Sequence, residues 1–201
     1  MEPSRPQSCG IMSPRARLIW NVLPLEFETM EELTDPDRAE SKVLADIGAF
    51  LSELRDLAKD ATSLEDGAER LRRIRASVYE NLNQIQHEYL VLQGLRWLRN
   101  NGYGDMQLNW SWNPRQTGDA TEPDLRARLH ARTVVSAEAT TSEKPEGVID
   151  SRMRNTLRKL SKMPGRRFYF VRTEAMAQRA ATKIAKNSWR IRVVCCDAPA
   201  A

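Results

Sequence analysis

The chain has 201 residues, of which 41% are hydrophobic and 29% are charged, and its mean hydropathy is −0.58. Because no stretch approaches the roughly 18 apolar residues of a membrane span, a membrane protein is not expected. The first residues lack the basic-then-apolar layout of a secretory signal, and the three cysteines form neither a disulfide framework nor a CxxC zinc motif. We therefore expect a cytoplasmic protein rather than a secreted protein or a zinc finger.

The first 100 residues predict an irregular arm followed by helices. Five prolines interrupt residues 1–36 and argue against regular structure there. Apolar residues then recur at helical spacing over 37–60, and again from Ser63, which is suited to cap a helix, to about Asn100. The expected organisation is an irregular arm, a helical extension and an α/β core, at residues 1–36, 37–62 and 63–201.

After the stop signal Asn-Gly-Tyr-Gly at residues 101–104, the apolar period changes from 3.6 to 2. Three strands are predicted first, and helices and strands alternate afterwards. In chain order these elements are strands over 106–112, 123–129 and 132–140, a helix over 149–162, a strand over 167–172, an Ala-rich helix capped by Thr173, and a strand over 189–196. The expected order from Ser63 is helix, three strands, helix, strand, helix, strand, which is an α/β fold.

Positive charge is concentrated in the C-terminal part of the chain. Residues 1–120 carry 14 Lys and Arg against 19 Asp and Glu, whereas residues 121–201 carry 17 against 8. Between Ser151 and Arg192 there are 13 basic residues and a single acid, Glu174. Such a one-sided block is typical of a surface that binds phosphate groups, so nucleic acid is the expected partner. A solvated basic face without a partner is the alternative.

Two acidic residues fall on the second and third predicted strands. Asp124 follows Pro123, and Glu138 comes 14 residues later, on the same strand face as Ser136 and Thr140. Carboxylates from adjacent strands can share a divalent cation, and Mg²⁺ is commonly anchored by one or two carboxylates. An ion of this kind beside a basic surface meets the requirements of phosphodiester hydrolysis, because it activates water and offsets negative charge.

At these residues the sequence resembles the PD-(D/E)xK nuclease superfamily, which has the restriction-endonuclease-like fold. The core of that family is helix, three strands, helix, strand, and the matching order covers about half of this chain. Its signature is an Asp, often after Pro, on the second strand and an acid-x-Lys on the third. Pro123-Asp124 and Glu138-Ala139-Thr140 stand at those places.

The resemblance implies an α/β protein with a restriction-endonuclease-like core and a helical N-terminal extension. It also implies Mg²⁺-dependent hydrolysis of DNA phosphodiester bonds, as in a restriction or defence endonuclease. By carry-over, Asp124 and Glu138 would bind Mg²⁺, and the carbonyl of Ala139 could be a third ligand. Glu88, at the edge of the apolar stripe of the first core helix, would support them.

Thr140 stands where the family has its lysine. That lysine orients the attacking water and stabilises negative charge, whereas a hydroxyl carries no charge. Lys144 in the following loop, or Arg126 on the face of Asp124, could supply the cation instead. The candidate catalytic residues are therefore Asp124, Glu138, Glu88, Thr140 and Lys144.

The helix predicted over 149–162 carries basic residues beside its apolar stripe. With Arg126, the candidate contacts to a nucleic-acid backbone are Arg152, Arg154, Arg158, Lys159 and Lys162. A solvated face with cations near the helix C-terminus is the equally simple alternative.

The expected function is a Mg²⁺-dependent endonuclease that acts on DNA, with RNA as the alternative substrate. A homodimer is expected, because the heptad-like spacing of the acidic helices suits pairing and many nucleases that cut both strands are dimers. The rival hypothesis is a non-catalytic nucleic-acid-binding or assembly protein on the same scaffold, with Thr140 marking lost chemistry. A third hypothesis is a helical interaction protein whose basic half contacts an acidic protein.

Overall fold

The computed structural model describes residues 30–104, 107–114 and 121–196. Most of the predicted arm and Met106 of the first predicted strand lie outside these ranges. Within them the protein is a mixed α/β structure of one six-stranded sheet and five α-helices. None of the described helices is long and apolar enough to cross a membrane.

The helices form where the sequence supplies caps and a one-sided apolar face. Their bounds are Pro36–Leu57 (α1), Leu64–Ser77 (α2), Asn83–Leu98 (α3), Val148–Ser161 (α4) and Glu174–Lys186 (α5). Ser63 caps α2 by accepting the N–H of Asp66, and Thr173 caps α5 by accepting that of Met176, as the sequence predicts. A π-helical turn, Val78–Leu82, joins α2 to α3 without a loop.

The sheet follows the chain in order from β1 to β6. The strands are Glu31–Glu32 (β1), Asn109–Trp112 (β2), Leu125–Leu129 (β3), Arg132–Thr140 (β4), Arg166–Val171 (β5) and Ile191–Cys195 (β6). Neighbours from β1 to β4 pair antiparallel, while β4, β5 and β6 pair parallel through the crossovers of α4 and α5.

Alternating side chains place a separate apolar core on each face of the sheet. On one face, residues such as Ala137 and Phe170 pack with α1 and α3. α3 approaches closely because it has Gly94 at the crossing, where a Cβ would lie 2.6 Å from the Phe170 ring. On the other face, Tyr169 and Val171 pack with α4 and α5. The start of β3 lies beside the end of β4 in the sheet, with α3 on one face and α4 on the other.

The predicted order of helices and strands is confirmed in the described residues, with small shifts in the bounds. Strand β3 begins at Leu125 rather than at residue 123, so Asp124 lies in the segment just before the strand. Strand β1 was not predicted from the sequence; its two residues pair with Trp112 and Ser111 of β2. A strand of two residues is too short to show an alternating pattern. Its position is set by the strand with which it pairs.

Candidate active site

A cleft of about 320 Å³ opens where β3 begins and β4 ends, between α3 and α4. Acidic, basic and hydroxyl-bearing side chains line it together. Those that bear on its chemistry are His87, Asp124, Glu138, Thr140, Arg152 and Lys159. The structure thus brings together Asp124 and Glu138, which the sequence analysis paired from their places on neighbouring strands.

Asp124 is held against the neighbouring strand rather than left free in solvent. Its side chain is buried, and its Oδ2 accepts the backbone N–H of Ala139 at 2.7 Å. The carbonyl of Asp124 accepts the N–H of Asn113 at 2.9 Å, which ties the same residue to the end of β2. These bonds hold the Asp124 carboxylate beside Glu138, the residue that precedes Ala139.

Glu138 carries a buried carboxyl beside a second acid, Asp124. It is 5% exposed, and burial, together with the like charge of Asp124, raises the pKa of its carboxyl to about 8. Lys159 opposes this shift, since its Nζ lies 2.6 Å from Oε1 of Glu138. A carboxyl with a strongly shifted pKa, in a cleft and beside a specific charged partner, is typical of a functional site.

The cation in contact with Glu138 comes from α4. Lys159 Nζ contacts Glu138 and donates a hydrogen bond to the carbonyl of Glu122 at 2.9 Å. Neither Lys144 nor Arg126, the two replacements expected from the sequence, is among the residues that line the cleft. Lys144 is exposed in the loop after β4. The guanidinium of Arg126 pairs with the carboxylate of Glu122 instead.

Thr140 lines the cleft two residues after Glu138. Its Oγ1 accepts a hydrogen bond from the hydroxyl of Tyr169 at 2.8 Å. Burial raises the pKa of Tyr169 to about 12, so the phenol remains a neutral donor. The position at which the resemblance implies a lysine is therefore filled by a fixed hydroxyl.

The helix α3 presents His87, not Glu88, to the cleft. Glu88 is 2% exposed, and it is paired with Lys42 of α1 at 3.2 Å and with Gln84 at 3.1 Å. Its pKa is raised by burial, against the charge of Lys42. The expected support of the metal site by Glu88 is not seen, because its carboxylate is held by Lys42 and Gln84 and the residue does not line the cleft.

His87 also lines the cleft, although it is not among the site residues predicted from the sequence. Its ring is 4% exposed, and its Nε2 lies 3.2 Å from Oδ2 of Asp124. Neither ring nitrogen has a hydrogen-bond partner among the described residues. The signal was present in the spacing, because His87, Val91, Gly94 and Leu98 recur at helical intervals on the buried face.

The basic residues of α4 divide into two groups. Arg152 and Lys159 line the cleft, with Thr156 between them at the same helical face. Three others are exposed and lie outside the cleft lining: Arg154, Arg158 and Lys162.

The cleft offers oxygen ligands that fit a hard divalent cation. No group of three His, Cys, Asp or Glu side chains forms a ready metal cluster within the described residues. Mg²⁺, however, keeps several waters and is commonly anchored by one or two carboxylates. Asp124 and Glu138 supply that pair, and a cation between them would offset the like-charge repulsion that raises the pKa of Glu138.

Comparisons of the chain with protein-family models, curated proteins and solved structures find no match. The residues and geometry of the cleft are therefore the basis on which a function is assigned.

Proposed function

We propose that the protein is a metal-dependent nuclease of the PD-(D/E)xK type, which hydrolyses DNA phosphodiester bonds in the cleft between α3 and α4. The observation that carries the proposal is the buried pair Asp124 and Glu138, with the ammonium of Lys159 2.6 Å from Glu138. Two acids and one lysine in a single cleft are the charged groups of the family's signature.

The order of elements around the cleft supports the proposal. α3, the strands β2 to β4, α4 and β5 follow the order helix, three strands, helix, strand of a restriction-endonuclease-like core. Asp124 precedes the second of these strands, and Glu138 lies on the third. The departure at Thr140 is offset because a lysine reaches Glu138 from the next helix.

Asp124, Glu138 and the carbonyl of Ala139 would hold Mg²⁺, which supplies an acidified water and offsets charge on the phosphate. Lys159 places a positive charge beside Glu138, where an ammonium can orient a water or hold a phosphate oxygen. Arg152 lines the same cleft and has the planar fork that binds phosphate in a bidentate manner. His87 flanks Asp124 and limits the space around its carboxylate.

A nicking assay on supercoiled plasmid, with Mg²⁺ or with EDTA, tests the proposal. Asp124→Asn and Glu138→Gln should each reduce nicking by about 100-fold or more, since each removes a ligand charge from the site. Glu146→Gln, which changes an exposed acid outside the cleft lining, is the matched control and should cut normally. Nicking that continues in EDTA, or at the same rate in all three variants, would contradict the proposal.

The non-catalytic rival also has an observation in its favour. The ion pair between Lys159 and Glu138 partly neutralises the acidic pair without any metal, as a purely structural contact would. In that case the protein should bind nucleic acid with a steep dependence on salt, and cut neither DNA nor RNA with any divalent cation.

A further inference from the structure

The face of the sheet that carries Glu138 continues beyond the cleft onto β2 and β3. α4 and α5 pack over β4, β5 and β6. Beside them, β1, β2 and β3 form a trough of about 270 Å³. Its polar lining residues are Glu32, Asn109, Ser111, Arg126, Arg128 and His130.

Strand register places the donors of the trough in two matched pairs. Arg126 lies opposite Ser111 of β2 and opposite Ser136 of β4, and Arg128 lies opposite Asn109. Residues directly opposite each other in an antiparallel pair project from the same face. Because strands rise about 3.4 Å per residue, the two guanidinium-bearing positions are about 7 Å apart along β3. The trough thus repeats one arrangement, a guanidinium beside a small polar side chain.

Arg126 has donor capacity that its neighbours do not use. Its Nε is buried and has no hydrogen-bond partner among the described residues. Its Nη2 lies 3.3 Å from Oε1 of Glu122 and 2.6 Å from the thioether sulfur of Met30, which is a weak acceptor. A buried donor without an acceptor is costly, and a guanidinium pairs best with a bidentate anion.

The trough and the cleft are connected through Glu122. This residue lines the cleft, pairs with Arg126 through its carboxylate and accepts the Lys159 ammonium at its carbonyl. Asp124 precedes Arg126 by two residues and Arg128 by four. A nucleic-acid strand whose cleaved phosphate lies at the Asp124–Glu138 metal site can therefore continue over Arg126 and Arg128.

We infer that this trough binds the sugar–phosphate backbone of the substrate on one side of the cleaved bond, with Arg126 and Arg128 each contacting a phosphate. The inference rests on the proposed nuclease function for its substrate class. Phosphate contacts of this kind fix the position of a nucleic acid without reading its sequence. Glu32, at the β1 side of the trough, repels phosphate and weakens this binding.

The affinity test compares two double variants with the same change of charge. Arg126→Gln with Arg128→Gln alters the trough, whereas Arg73→Gln with Arg75→Gln alters exposed positions on α2. The readout is the fluorescence anisotropy of a labelled oligonucleotide in EDTA over a series of NaCl concentrations. The trough variant should bind at least tenfold more weakly, and its log–log salt slope should fall by about 1.4 to 1.8 units, as for two lost phosphate contacts. Equal losses in the two double variants would overturn the inference.

A walk of neutral methylphosphonates along the oligonucleotide locates the contacts. In the wild-type protein, two positions on one side of the cleavage site should weaken binding, and the trough variant should be insensitive at those same positions. An unchanged pattern in the trough variant would refute the inference even if the plasmid is nicked normally. If the trough variant loses sensitivity at two positions but the wild-type protein does not nick the plasmid, phosphate binding by the trough is supported and the nuclease function is contradicted.

Discussion

Asp150 and Glu138 both contact a lysine on the same side of the sheet, but their surroundings are opposite in charge. Asp150 of α4 accepts from Arg179 at 2.7 Å and from Lys183 at 2.9 Å. These hydrogen bonds hold the pKa of Asp150 well below its usual range. Glu138 has one lysine and a second acid, Asp124, and its pKa is raised to about 8 by burial and by that acid.

The difference separates a structural ion pair from a site that, under the proposed function, binds a further cation. The Asp150 group has more positive than negative charge, and it joins α4 to α5. If both carboxyls were ionised, the Asp124–Glu138 group would have two negative charges against the one positive charge of Lys159, and without a further cation Glu138 instead keeps its proton up to a pKa of about 8. Strained electrostatics of this kind are typical where activity is kept at a cost in stability.

The largest expected effect follows from removing the ammonium that contacts Glu138. Lys159→Gln should lower the cleavage rate by about 100- to 1,000-fold, the size of effect found on removing one oxyanion-stabilising donor. Lys186→Gln, which changes an exposed lysine of α5 outside the cleft lining, should cut at close to the wild-type rate. Measured single-turnover rates that are equal in the two variants would show that the Glu138–Lys159 pair is only structural.

A lysine introduced at position 140 tests whether the ammonium can act from the position that the resemblance to PD-(D/E)xK nucleases implies for it. Thr140→Lys in the Lys159→Gln background should recover cleavage by about tenfold, because the ammonium would stand two residues after Glu138 on the same strand face. Thr140→Gln in that background is the control for loss of the Tyr169 hydrogen bond. If both double variants are equally inactive, the location of the cation at α4 is essential or the lysine has no catalytic role.

The stability of Glu138→Gln should exceed that of the wild type, increasingly so at high pH. Because the folded pKa of about 8 lies above the unfolded value of about 4.3, ionisation of Glu138 destabilises the fold as the pH rises between these values. The gain in Tm should be small at pH 5 and about 3 °C or more at pH 9. Thermal denaturation at the two values measures it, and a lower Tm for Glu138→Gln at pH 9 would contradict the account.

The corresponding variant at the structural pair should behave in the opposite way. Since the folded pKa of Asp150 is lowered, its contribution to stability is present above the unfolded pKa of about 3.9 and is lost as the pH falls. Asp150→Asn should therefore have a lower Tm than the wild type at pH 7, and this deficit should narrow towards pH 3. A deficit that grows as the pH falls would show that the lysine and arginine contacts do not act through the ionised carboxylate.

Much of the fold follows from local patterns in the chain. Period-two runs and helix caps at Ser63 and Thr173 predict the order of strands and helices, because these signals depend on neighbouring residues alone. The approach of Asp124 to Glu138 could also be predicted, since consecutive short-looped strands pair as neighbours.

The remaining site residues depend on contacts that are distant in the chain. Glu88 was expected to lean from the edge of the apolar stripe of α3 over the metal site, but it is the neighbouring His87 that lines the cleft. Lys159 was predicted to bind the nucleic-acid backbone. Its contact with Glu138 could not be predicted, because that contact depends on where α4 crosses β4. No local pattern encodes such a crossing.

Binding of Mn²⁺, followed by electron paramagnetic resonance as a substitute for Mg²⁺, tests the central claim most directly. If the Asp124–Glu138 pair is completed by an external cation, the wild type should bind one ion per chain, and Asp150→Asn should bind it equally well. Glu138→Gln should lose that ion. The absence of a bound ion in the wild type, or its retention in Glu138→Gln, would contradict the account.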